Sequence, residues 1–71
     1  MKEEALVLFG KRIHELRTKN GWSQEKLAET TELHRTYIGM VERGERNISL
    51  MNIYRFAKAF NINIEDLFKN I

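Results

Sequence analysis

The chain has no cysteine and no proline, and only four of its 71 residues are glycine. Without cysteine there are no disulfides, and zinc-finger layouts built on cysteine thiolates are excluded. The two histidines, His14 and His34, are far apart and lack ligand-spaced partners, so neither a metal site nor a cofactor is expected. With no proline and no low-complexity tract, nothing marks a linker, and residues 1–71 read as one domain. No apolar run approaches the length of a membrane span. The first residues, MKEEALVLFGKR, put acidic side chains ahead of a short apolar run, which is not the basic-then-apolar order of a secretory signal. A cytoplasmic location is the expectation, with no membrane partner. No nucleophile has a histidine at a recognisable spacing, and a chain this short cannot wall off a pocket of ordinary size, so no enzyme is expected.

Lysine and arginine number 12 against 10 acidic residues, for a net charge of +2. That balance does not identify a nucleic-acid binder, but its distribution is informative. Arg35, Arg43 and Arg46 crowd one short region, and Lys11, Arg12, Arg17 and Lys19 lie in the first predicted helix. Glu3, Glu4, Glu65 and Asp66 sit near the two ends. A nearly balanced chain arranged this way permits one basic face.

The apolar periodicity is helical throughout, and no segment alternates as an exposed-face strand would. A first helix is predicted from about Glu3 to Lys19, with Leu6, Phe9, Ile13 and Leu16 as its inward stripe and Asn20-Gly21 as its stop. Trp22 is expected to pack over the junction. Ser23 is placed to cap a second helix, about Gln24 to Thr30, with Glu25 near its positive end. A break at Thr31-Glu32-Leu33 precedes a third helix, about Arg35 to Arg43, stopped by Gly44. Ser49 caps a fourth, about Leu50 to Phe60, and Asn63 a fifth, about Ile64 to Asn70, with Asp66 completing a box-like start. The fold class is all-α: a compact five-helix domain.

Residues 23–44 carry the functional signal. Two short helices separated by a tight break, with inward residues at Leu27, Ala28, Leu33, Ile38 and Val41, form the layout a helix-turn-helix needs: the second helix packs by its back face and enters a DNA major groove by its front. At the front, Arg35 can make a two-pronged bond to the O6 and N7 atoms of guanine, and Thr36 can offer its hydroxyl or its methyl to a base. Tyr37, polar-tipped beside the inward Ile38, suits a phosphate or sugar. Ser23 and Gln24, at the free amides of the second helix, and Arg43 and Asn47, after the third, are candidate contacts to the DNA backbone.

The fourth helix is too apolar for one core. Leu50, Met51, Ile53, Tyr54, Phe56, Ala57 and Phe60 cover roughly 220° of its circumference, whereas a singly packed helix needs about 100°. Either the helix is buried on two sides within the domain, or its outer side meets a second copy. A chain of this length buries only about 60% of its unfolded surface, which favours a homodimer. The dimerisation helices would span about residues 49–71, and the expected interface residues are Met51, Tyr54, Ile64, Leu67 and Phe68.

The segments SQEKLAE and LHRTYIGMVERGERNISL resemble the helix-turn-helix of the Cro/C1-type family of phage and bacterial repressors, over about Phe9 to Phe68. They resemble most the controller proteins of restriction–modification systems. That resemblance implies the lambda repressor-like fold and a homodimer on a near-palindromic double-stranded DNA operator. It implies control of the chain's own gene and of an endonuclease gene, with RNA polymerase recruited at low occupancy and blocked at high. It also implies a base contact by Arg46 and a partly buried ion pair between Arg17 and Glu42. A phage-type or stand-alone repressor, or an antitoxin-like protein-interaction module, is the alternative. One residue departs from the family pattern. Glu32 stands where glycine is usual, in a turn whose backbone is commonly left-handed, and a glutamate there costs on the order of 1 kcal/mol.

Overall fold

Each of the first four helices ends in a left-handed residue that turns the chain back over its own last turn. A computed structural model, describing residues 2–71, places these helices at Glu4–Lys19 (α1), Gln24–Thr31 (α2), Arg35–Glu42 (α3) and Leu50–Phe60 (α4), followed by Ile64–Leu67 (α5). Among the described residues there is no strand. The left-handed residues are Gly21, Glu32, Gly44 and Asn61, with φ of 72°, 60°, 74° and 57°. The residue after each donates its N–H to the carbonyl five positions back: Trp22 to Arg17, Leu33 to Ala28, Glu45 to Met40 and Ile62 to Ala57, at 2.9–3.1 Å. This motif satisfies carbonyls that a helix end leaves orphaned. Trp22, Leu33 and Ile62 then pack against the core, so three of the four turns double as hydrophobic anchors.

Glycine and asparagine tolerate this conformation and glutamate does not, so at Glu32 the strain anticipated from the sequence is accepted rather than avoided. The break between α2 and α3 falls one residue later than expected, at residues 32–34. Thr31 closes α2, buried, with its hydroxyl donating to the Leu27 carbonyl at 2.7 Å, which makes a polar side chain tolerable there. At the start of helices, Ser23 and Ser49 accept from the amides of Lys26 and Asn52 at 3.0 and 3.2 Å.

One core joins all five helices: Phe9, Ile13 and Leu16 from α1, Leu27 and Ala28 from α2, Ile38 and Val41 from α3, Phe56, Ala57 and Phe60 from α4, and Leu67 from α5. Phe9 meets Phe56 edge-on at 6.3 Å, and Trp22 stacks on Phe60 at 5.7 Å across the junction, as expected of it. Leu6, expected in the α1 stripe, is only half-buried. Gly10 lies where α1 crosses α3, and a Cβ there would stand 2.7 Å from the Glu42 carbonyl oxygen and closer still to that of Val41.

The C-terminal third corrects two expectations. The fifth helix is one turn, not two: past Leu67 the chain continues in i→i+3 bonds, Phe68 to Glu65 and Lys69 to Asp66. Asn63 sits at the cap position, but its side chain makes no capping bond and Asp66 completes no box; the Asn63 carbonyl alone starts the turn. Leu67, expected at a subunit interface, is fully buried in the core of the single chain. A single-turn helix needs an anchor, and Leu67 is that anchor. The apolar arc of α4 divides. Phe56, Ala57 and Phe60 face inward with Ile53 partly covered, while Leu50, Met51 and Tyr54 are 72%, 62% and 50% exposed. The chain therefore does not by itself bury α4 on two sides. Ile64 and Phe68 on the neighbouring segment are exposed as well.

Candidate nucleic-acid interface

The front of α3 is open and its back is sealed. Ile38 and Val41 are fully buried, whereas Arg35, Thr36 and Arg43 are exposed. The helix begins at His34, whose Nδ1 accepts the Thr36 amide at 3.2 Å. That bond requires the tautomer with the proton on Nε2. Nothing in the sequence signals this cap, because histidine is not among the usual capping residues. Arg35 pairs only loosely with Glu25, its Nε 3.9 Å from Oε1 with both side chains mostly exposed, so little holds it back from a ligand.

Tyr37 is half-buried, and its hydroxyl accepts a bond from Asn52 Nδ2 at 3.0 Å. The Arg46 guanidinium lies 5.3 Å above the Tyr37 ring, a cation–π seat on the same side of the molecule. Asn47 beside it is exposed. Arg43 pairs its Nε with Glu45 Oε1 at 3.1 Å. Ser23 spends its oxygen on capping α2. Gln24, half-buried, lines a hollow with Arg35, Thr36, Gly39 and Arg43.

Behind this surface, Arg17, His14 and Gln24 converge on one carboxylate. Glu42 accepts from Arg17 Nε at 2.6 Å and Nη2 at 3.1 Å, lies 3.1 Å from His14 Nδ1, and accepts from Gln24 Nε2 at 3.2 Å. Arg17 Nη1 also donates to the Trp22 carbonyl at 2.8 Å. The pair implied by resemblance is present; the contributions of His14 and Gln24 depend on the helix crossing and carry no spacing signal. Burial raises the Glu42 pKa, but the bonds from Arg17, His14 and Gln24, with the Arg17 charge, outweigh it and hold the carboxyl below its ordinary value. No buried side-chain nitrogen or oxygen among the described residues lacks a partner.

Not every basic residue contributes to the open surface. Arg12 turns to the far side, where Nε and Nη2 donate to the Asp66 carbonyl at 3.2 and 2.7 Å and tie the C-terminal turn to α1. With Arg17 also committed inward, the cations around α3 are Arg35, Arg43 and Arg46. Among the described residues no group of acidic, histidine or cysteine side chains is arranged to hold a metal, and no helix is long and apolar enough to cross a membrane.

The chain matches the helix-turn-helix family over residues 13–67. It is 46% identical over 68 residues to the control protein C.BamHI of Bacillus amyloliquefaciens, covering 94% of this chain and 84% of that protein. It is 45% identical over 60 residues to the control protein C.SmaI of Serratia marcescens, covering 84% and 71%. Among solved structures, the restriction–modification controller protein C.AhdI from Aeromonas hydrophila superposes with a TM-score of 0.85 at 53% identity, over 87% of this chain and 94% of that one.

Proposed function

This chain belongs to the helix-turn-helix family of DNA-binding transcription regulators, a family of binding proteins and not of enzymes, and we propose that it acts as a restriction–modification controller binding its operator as a homodimer. The observation that carries the DNA-reading part is the contrast on α3: a back face fully buried through Ile38 and Val41, and a front with Arg35 and Thr36 free. Arg35 and Thr36 read base edges, joined by Arg46 from its seat on Tyr37. Ser23, Gln24, Tyr37 and Asn47 hold the phosphates and set the depth of the helix in the groove. The Arg17–Glu42 pair keeps α1 and α3 in register.

The second copy covers the apolar patch. Leu50, Met51, Tyr54, Ile64 and Phe68 expose large side chains on a small protein, and an isologous contact through them would place two α3 helices on one face of the DNA. The half-sites then stand about one helical turn, roughly 34 Å, apart on a near-palindromic operator. Such a regulator would work in the cytoplasm, controlling its own gene and a restriction endonuclease gene and recruiting RNA polymerase at low occupancy before blocking it at high occupancy. Footprinting of selected oligonucleotides tests the reading. The expected result is a two-fold site with that half-site spacing, protected by a dimer in sedimentation. A monomer that protects no site would favour a protein-interaction module instead.

A further inference from the structure

The stripe of α3 opposite its core face has one buried residue in its middle, Gly39, covered by side chains and not by backbone. At about 100° per residue, Arg35, Thr36, Gly39 and Arg43 fall within about 100° of one another, opposite Ile38 and Val41. With Gln24 they line a hollow of about 170 Å³. Glycine inside a helix is unfavourable, and packing does not call for one here. At Gly10 an added Cβ would strike backbone carbonyls; at Gly39 it would meet only the mobile ends of two side chains, Arg43 Nη1 at 3.0 Å and Gln24 Oε1 at 3.8 Å. The Arg43 guanidinium thus folds back along α3 and covers Gly39. The ion pair with Glu45 Oε1 at 3.1 Å engages its Nε, leaving the edge made by Nη1 and Nη2 open. That edge is a planar two-pronged donor of the kind that matches O6 and N7 of guanine.

We propose that Arg43 is a base-reading residue, not the phosphate contact its place at the end of α3 first indicates, and that Gly39 is the opening that admits it. The proposal rests on the DNA-reading surface described above. A phosphate clamp would reach away from the helix toward the groove walls, whereas Arg43 is seated on the line that carries Arg35 and Thr36. The absence of a side chain at position 39 lets the guanidinium lie close against the helix, beside the Arg35 and Thr36 positions, where a base edge can meet it.

Selection of bound sites from randomised half-sites, read by sequencing, tests this on the full chain and on Arg43→Ala, Arg43→Lys and Gly39→Ala. The wild type should prefer a G·C pair at one position that Arg43→Ala flattens by about tenfold, with preferences elsewhere in the half-site kept. Arg43→Lys should not restore it, and Gly39→Ala should weaken it at the same position while thermal unfolding keeps the fold in view. Uniform weakening of every sequence by Arg43→Ala, with a salt slope lower by about one, would make Arg43 a phosphate contact and overturn the proposal. So would an unchanged profile. A wild type without preference at any position would overturn the DNA-reading surface itself, which separates that failure from this one.

Discussion

Arg17, near the end of α1, grips Glu42, the last residue of α3, through two bonds of 2.6 and 3.1 Å. Both side chains are nearly enclosed, 11% and 5% exposed. The same crossing brings Gly10 against the carbonyls of Val41 and Glu42. The helix α3 is therefore held at its C-terminal end by charge and by backbone contact, while Arg35 and Thr36 at its N-terminal end stay exposed.

Glu42→Gln leaves the enclosed Arg17 without its counter-charge and should lower stability by about 2–3 kcal/mol near neutral pH. The sign with pH follows from the depressed carboxyl pKa. The Glu42 contribution is fully present above the unfolded glutamate value of about 4.3 and is lost as pH falls through the lower folded value. Urea unfolding of both proteins across the acid range should show the gap closing there and nowhere above it. A gap that stayed constant down to the lowest pH would mean the Glu42 charge contributes nothing.

Gly10→Ala should be among the most damaging single methyl additions. The new Cβ meets backbone, which cannot swing aside, so α1 and α3 must separate at a cost of about 3 kcal/mol. Thermal unfolding should fall by many degrees, and a near-normal midpoint would show that the crossing is looser than described.

Glu32→Gly should do the opposite. Glycine relieves a left-handed glutamate at the end of α2, and stability should rise by about 1 kcal/mol with an unchanged denaturant slope. Equal or lower stability in urea would place the strain elsewhere.

Met51→Glu and Tyr54→Glu put charge on the exposed side of α4 without touching the core. Each should shift sedimentation toward the monomer and weaken operator binding by about tenfold or more, since one α3 then binds without the other. Helical content should be retained. A dimer indifferent to both changes would move the interface off this patch.

Much of this was legible beforehand, for identifiable reasons. Periodicity located α1 to α4 because each presents one inward face, and the stops at Gly21, Gly44 and Asn61 are residues suited to left-handed turns. Periodicity could not divide the arc of α4 or place Leu67, because it reports that a residue is apolar and not which neighbour covers it. The extra length assigned to α5 failed because a single turn on Leu67 suffices to seat the segment. Arg12 looked like surface charge in the sequence but is spent on the Asp66 carbonyl, 54 positions away. His14 and Gln24 reach Glu42 only because three helices meet there. Composition alone would have left the proposed DNA surface unmarked; what marked it was the helix-turn-helix layout of residues 23–44, within which Arg35 and Thr36 stand at the open front of α3.

The most direct test of α3 as a sequence reader is the binding profile of Arg35→Ala on a selected operator, compared with wild type by mobility shift over a panel of single base-pair changes. Specific affinity should drop by about 1–3 kcal/mol and the preference should relax at one base pair per half-site, with non-specific binding little altered. Unchanged operator affinity and an unchanged profile would contradict the account.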